Sequence, residues 1–304
     1  MDKKILVILG PTASGKSDLA IKLAKIYKGE IISADSRQVY QNMNLGTGKV
    51  KKDRGKNNKE YFSNNIRHHL LDVFKPTDIF TVSDFQKKAN IAISDILKRK
   101  KLPIICGGTG FYISALTEGW QFLQVKPNYK LRKKLEKLTT IKLYQKLIKK
   151  DPTRAKNIDR FNRVRLIRAL EISEKIKKTE PLKKILPDWN ILFLGVKRNQ
   201  SELKKLIKKR LDNRLSSGMV SEIKKLKKQG VSSKRLESFG LEYRWINRYL
   251  EKKIDNKTMQ IELYRAICQY AKRQMTWFKK MQKITWVKTE KQAEKHITKW
   301  LKTN

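Results

Sequence analysis

Cysteine is nearly absent: Cys106 and Cys268 are the two in 304 residues, and neither belongs to a C-x-x-C pair. That excludes a zinc finger and argues against a disulfide framework. It points to a reducing, cytoplasmic setting. Long apolar runs are missing too. No stretch approaches the roughly 18 consecutive apolar residues a membrane span needs, so no membrane partner is expected. The opening Met1-Asp2-Lys3-Lys4 followed by Ile5–Leu9 faintly imitates a signal peptide. Its apolar run is too short, however, and it leads directly into a glycine-containing loop, so it reads as a first core strand. Internal repeats are also absent. Most of all, the chain is short of acid: 28 Asp and Glu stand against 72 Lys and Arg, a net charge of +44. The excess is uneven. Residues 1–120 carry 21 basic and 11 acidic residues (net +10), and residues 121–304 carry 51 and 17 (net +34). Such a surface attracts polyanions, nucleic acid first, although a general preference for lysine gives the same totals.

What is present is a core. At 39% hydrophobic residues the chain suffices for one large domain with an insertion, or for two smaller ones. Four short apolar runs read as buried parallel strands: Ile5–Leu9, Glu30–Ala34, Leu102–Cys106 and Ile191–Val196. Helical patterns at Ser17–Tyr27 and Val82–Lys98 separate the first three, which predicts an α/β domain. The polar residues 49–60 read as a mobile loop. From Pro127 to Lys178 the text is helical and basic, with a break at Asp151-Pro152 and a resumption over Arg160–Ile176. Lying between the third and fourth strands, it reads as an insertion. Residues 200–229 predict a helical pair broken at Gly218, and Lys257–Gln282 one long helix.

Gly10-Pro11-Thr12-Ala13-Ser14-Gly15-Lys16-Ser17 is a phosphate-binding loop, G-x-x-x-x-G-K-S, with a strand before it and a helix after it. The glycines let successive N–H groups converge on phosphate oxygens, Lys16 adds a point charge, and Ser17 is a candidate Mg²⁺ ligand at a helix N-terminus. The second strand runs into Ala34-Asp35-Ser36-Arg37-Gln38. In a parallel sheet, ligands sit beyond the carboxyl ends of the strands, so Asp35 shares an edge with the phosphate loop. A carboxylate there suits a water-mediated Mg²⁺ ligand, a general base, or simply a turn cap. The third strand ends in Gly107-Gly108-Thr109-Gly110, a second place where backbone can approach a ligand. It does not end in the acidic Mg²⁺ ligand usual for an ATPase. His68 and His69 are adjacent, point different ways, and lack spaced partners; they read as hydrogen-bonded structural residues. In the long C-terminal helix Lys272, Arg273, Trp277 and Phe278 suit a mixture of core packing and RNA or active-site contact.

Together these segments resemble one family, the tRNA dimethylallyltransferases (tRNA isopentenyltransferases). The matching text is GPTASGKS at 10–17, EIISADSRQVY at 30–40, HHLLDV at 68–73, GGTGFYI at 107–113, RALEI at 168–172, Arg210–Gly218 and QYAKRQMTWFK at 269–279. The resemblance implies a P-loop NTPase-like α/β core of parallel strands (1–120 and 190–304) with a helical C-terminal region, and a basic, tRNA-binding helical insertion at 121–189. It implies transfer of a dimethylallyl group from dimethylallyl diphosphate to N6 of the adenosine 3′-adjacent to the anticodon (position 37), in tRNAs reading codons that start with U. Mg²⁺ would serve with the phosphate loop, and a monomer would suffice. The resemblance makes Asp35 the general base at N6, and Thr12 and Arg214 helpers at the diphosphate, with Arg210 nearby one helical turn away. It assigns tRNA contacts to Asp35, Ser36, Arg37 and Gln38, to Thr109 and Arg132, and to Val164, Arg165, Leu166, Ile167 and Arg168; members usually have Gln where this chain has Val164. The Gly-Tyr pair usual near 240 reads Gly240-Leu241-Glu242-Tyr243 here. Eukaryotic members often add a C-terminal zinc finger, and a chain ending at Asn304 without one looks bacterial or organellar. Two other readings stay open. An adenylate isopentenyltransferase would use a free nucleotide and need no basic platform. A P-loop kinase or ATPase that binds nucleic acid would turn over ATP.

Overall fold

The computed structural model describes residues 3–53, 60–176, 183–281 and 283–303. In chain order the elements begin with β1 (Lys4–Leu9), α1 (Lys16–Ile26), β2 (Gly29–Ser33), β3 (Tyr61–Ser63), β4 (Ile66–His69), α2 (Val82–Lys98), β5 (Leu102–Gly107) and α3 (Gly110–Thr117). Four helices follow: α4 (Tyr129–Leu135), α5 (Thr140–Lys150), α6 (Pro152–Asn157) and α7 (Arg163–Ser173). Then come β6 (Asn190–Val196), α8 (Gln200–Ser216), α9 (Met219–Lys228), α10 (Ser233–Phe239), α11 (Leu241–Leu250), α12 (Asn256–Phe278), β7 (Ile284–Val287) and α13 (Glu290–Lys302). The chain divides into two compact units, one running to Glu118 and resuming at Pro187, the other Gly119–Leu186.

The first unit is built on a sheet of order β3-β4-β2-β5-β1-β6-β7. Every neighbouring pair is parallel except β3 with β4. β1 lies between β5 and β6, with Leu6 opposite both Ile104 and Leu192. A strand covered on both faces reads as a continuous apolar run, which is why KILVIL was legible. Its side chains alternate. Ile5, Val7 and Leu9 enter a core shared with α2, α8, α9 and α12, while Leu6 and Ile8 enter one shared with α1 and α13. The outcome is three layers, helices on both faces of the sheet. β1, β2, β5 and β6 all open on one edge, which is where the ligand loops are.

The four expected strands are all present. β3, β4 and β7 escape a reading by apolar runs because they are three or four residues long and partly polar. α2 has the expected bounds, begun by a capping box in which Thr81 and Asp84 satisfy each other's backbone N–H. α8 and α9 part at Gly218, whose φ of 95° is one that other residues rarely adopt. α12 ends at Phe278, before the expected Gln282, which lies outside the described residues. The loop expected at 49–60 is only partly described, 54–59 lying outside. Its first residue, Lys49, is no solvated loop lysine: its buried amine donates to the Tyr40 carbonyl at 2.8 Å and pairs with Asp72. Among the described residues, no helix is long and apolar enough to cross a membrane.

The second unit packs α4–α7 around Leu135, Leu143, Leu147, Leu166 and Leu170. Asp151 closes α5 and caps α6, its carboxylate accepting from the Arg154 N–H at 3.0 Å, so the expected break is a shared cap. The last two residues of the expected helical text, 177 and 178, lie outside the described residues.

Candidate active site

The phosphate loop turns from β1 into α1 as the glycines require. Gly10 and Gly15 have φ of 158° and 89°, and Ala13 is also left-handed at 62°. The Ser14 N–H donates to the Pro11 carbonyl at 3.3 Å, and Arg198, just past β6, braces the loop by donating to the Ser14 carbonyl at 3.2 Å. Lys16 folds back, its amine 3.2 Å from the Pro11 carbonyl. The Ser14 hydroxyl is buried with no partner among the described residues.

Two arginines complete the cradle. Arg210 of α8 donates to the Thr12 hydroxyl at 3.3 Å and to the Gly48 carbonyl at 3.4 Å. One turn on, Arg214 pairs with Glu242 at 3.2 Å, while its Nη2 is buried without a partner among the described residues. The two are therefore not a solvated basic face. Burial, and then the nearby Arg214, push the Arg210 guanidinium down to about 10. Burial likewise lowers Lys16, which Arg210 and Arg214 lower further. Three half-buried cations share one neighbourhood, and such charges are stable only where counter-charge meets them. Glu242, Glu222 and Asp35 are the carboxylates that act on Arg214. The arrangement suits a multiply charged anion.

Asp35 follows β2 at the same edge. Its Oδ1 accepts from the N–H groups of Arg37 (2.8 Å) and Gln38 (3.2 Å), so the turn-cap role is real. Oδ2 is not engaged among the described residues, leaving one oxygen for a ligand. Thr109 ties this segment to the loop after β5: its N–H donates to the Ala34 carbonyl at 3.2 Å, and its hydroxyl accepts from the Ser36 N–H at 3.2 Å. Gly107 must be glycine, because a Cβ there would overlap the Ala34 backbone. Arg37 is spent internally, donating to the Phe239 carbonyl at 2.9 Å, and Gln38 is held by Ser33 and the Thr47 carbonyl.

Mg²⁺ suits the donors at this edge. Ser17 offers a hydroxyl in the first turn of α1, and Asp35 a carboxylate oxygen at the same sheet edge. Among the described residues no cluster of three His, Cys, Asp or Glu could hold a metal alone. A cation that keeps waters and takes substrate phosphate oxygens needs no such cage.

The IPP transferase family model matches residues 38–281. The chain belongs to the IPP transferase family. It is 42% identical over 292 residues to tRNA dimethylallyltransferase 2 of Treponema denticola, covering 93% of this chain and 95% of that one. It is 37% identical over 308 residues to tRNA dimethylallyltransferase 1 of Geotalea uraniireducens, covering 100% and 99%. Among solved structures it resembles the tRNA isopentenylpyrophosphate transferase of Bacillus halodurans, with a TM-score of 0.73, 30% identity and coverage of 99% and 97%. It also resembles a eukaryotic dimethylallyltransferase acting on tRNA, with a TM-score of 0.76, 27% identity and coverage of 94% and 74%.

Within this IPP transferase, Gly10–Ser17, Asp35–Gln38, Thr109, Arg210 and Arg214 belong to the first unit. Arg132 and Val164–Arg168 belong to the second. There, Arg132 (2.8 Å) and Arg168 both pair with Glu171, whose carboxylate is 1% exposed. Leu166 is fully buried and Ile167 nearly so, whereas Val164 is 78% exposed. Leu166 and Ile167, expected to touch tRNA, thus turn their side chains into the core of the second unit, and Val164 is open to solvent. His69 is hydrogen-bonded as expected, 2.8 Å from Glu30, but His68 is not: its Nε2 is buried and has no partner among the described residues.

Sequence reasoning missed Glu242, Arg198 and Gln274. In α12 it pointed to Lys272 and Arg273, which are exposed, and to Phe278, which is core; Trp277 does reach inward, donating to the Ser114 hydroxyl at 3.3 Å. The buried stripe is Ile267, Ala271, Gln274 and Phe278. A glutamine in an otherwise apolar stripe was the available signal.

Proposed function

We propose that this chain transfers the dimethylallyl group of dimethylallyl diphosphate to N6 of the adenosine 3′-adjacent to the anticodon, position 37, in tRNAs reading codons that start with U. The observation that supports this best is the meeting of three half-buried cations, Lys16, Arg210 and Arg214, with the half-free carboxylate of Asp35 at one sheet edge.

The C1–O bond of the donor breaks and its electron pair leaves on the diphosphate. The allylic carbon carries positive character, so holding the leaving group dominates the barrier. Lys16, Arg210, Arg214 and the loop N–H groups hold it. N6 of adenine forms the new C–N bond, and its proton passes to Asp35 Oδ2. Ser17 would hold Mg²⁺, which when bound neutralises charge on the leaving diphosphate. Thr109 and Ser36 fix the Asp35 turn while the base, flipped from its stack, is held. The basic second unit supplies a platform for the RNA backbone, which a free nucleotide would not need.

The test is transfer from labelled dimethylallyl diphosphate with Mg²⁺ to tRNA carrying that adenosine, to the same tRNA with guanosine there, and to AMP. Label on the first alone supports the reading. Label on AMP makes the chain an adenylate enzyme, and ATP hydrolysis without label makes it a kinase or ATPase.

A further inference from the structure

Gln274 lies between the two ligand loops and is 6% exposed. Its Oε1 accepts from the Thr12 N–H at 2.8 Å, and its Nε2 donates to the Gly108 carbonyl at 2.8 Å. The orientation is forced, since a flipped amide would set donor against donor and acceptor against acceptor. Gly108 has no room for a side chain, because a Cβ would overlap Nε2. Thr12 is meanwhile held from the other side by Arg210, and Thr109, next to Gly108, is bonded to Ala34 and Ser36 on either side of Asp35. One side chain thus joins the loop that holds the leaving group to the loop that holds the proton acceptor.

Resting on the reading above, we propose that Gln274 is a positioning residue that sets the spacing between the allylic carbon and the acceptor N6. Bond formation needs the reacting atoms about 3–3.5 Å apart and aligned. An allylic carbon whose diphosphate departs before N6 is in place is captured by water: the water oxygen bonds to C1, its proton goes to solvent, and dimethylallyl alcohol and diphosphate are released. The spacing therefore governs how donor turnover divides between transfer and solvolysis, and loss of folded protein does not change that division.

The experiment measures labelled alcohol against labelled tRNA in wild type, Gln274→Met and Gln274→Glu. Met keeps the length and loses both hydrogen bonds. Glu keeps the acceptor but sets a carboxylate oxygen against the Gly108 carbonyl, until protonation restores a donor. In Gln274→Met the alcohol-to-transfer ratio should rise about tenfold or more, with KM for both substrates within about threefold of wild type. In Gln274→Glu the ratio should rise at pH 8 and fall back towards that of wild type, measured at the same pH, as the pH is lowered to about 6. A wild-type ratio in both variants, with any rate loss matched by lost folded protein or raised KM, overturns the proposal. Wild-type protein that labels no tRNA overturns the reading on which it rests, and the proposal with it.

Discussion

Arg210 donates a 3.3 Å hydrogen bond to the hydroxyl of Thr12, 198 residues earlier in the chain. That contact closes the anion cradle from the helical side, and it places a guanidinium already pushed down to about 10 by burial and by Arg214. A bound anion relieves both effects.

Inorganic diphosphate with Mg²⁺ should therefore stabilise the protein. The gain expected at a hundred times Kd is about 2.7 kcal/mol, read as a rise in Tm. In Arg210→Gln that rise should shrink by more than about half, because one of three cations is gone. An undiminished rise would place the diphosphate elsewhere.

Asp35→Asn separates the two roles of this residue. Asparagine retains an Oδ1 to accept from the Arg37 and Gln38 N–H groups but takes no proton from N6. The turn and tRNA affinity should survive while kcat falls about 10²–10⁴-fold, the range for removal of a general base. Full kcat with weakened tRNA binding would reduce Asp35 to the turn cap alone.

The parts legible in the sequence were those whose chemistry is local. GPTASGKS states its own backbone shape, and KILVIL states that it is covered on both faces. Asp35 follows from strand direction alone. What stayed hidden depends on distant pairing. Arg210 and Arg214 look like any basic face of a lysine-rich helix until Glu242, Thr12 and Gly48 surround them. Nothing local in the sequence shows that Arg132 and Arg168 share Glu171 between them. β3, β4 and β7 are too short to show a period, and their existence is decided by their neighbours' unpaired edges.

Glu171 makes the second unit sensitive to acid. Arg132, Arg168 and the Asn128 N–H hold its carboxyl down at about 2 against an ordinary 4.5, despite its burial. A carboxyl lowered on folding contributes stability that is complete above the ordinary value and lost as pH falls towards the folded one. The window is thus about pH 4.5 down to 2, and the contribution at neutral pH is at most about 3 kcal/mol. Hydrogen exchange in residues 140–150 of the full protein should accelerate across that window beyond the intrinsic pH effect. In Glu171→Gln the protection should be lower at pH 7 and the extra acid sensitivity gone. Equal sensitivity in the variant would assign it to another carboxylate.

Gly48 sits where the loop after β2 meets α8, at a φ of 61°, with its carbonyl accepting from Arg210. A Cβ there would overlap the guanidinium ends of both Arg210 and Arg214. Exposed arginines would swing aside. These are half-buried and held, Arg210 bonded to Thr12 and Arg214 paired with Glu242, so moving aside costs each its partner. Gly48→Ala should therefore act on the cradle as well as on the fold. The left-handed backbone accounts for a stability loss of about 1–2 kcal/mol. Displacement of the arginines should raise KM for dimethylallyl diphosphate about tenfold or more and leave the affinity for tRNA nearly unchanged. Steady-state kinetics with each substrate varied in turn, beside a thermal melt, separates the two effects. A lower Tm with an unchanged KM would show that the arginines take up the methyl group without leaving the diphosphate, and that the glycine serves the turn alone.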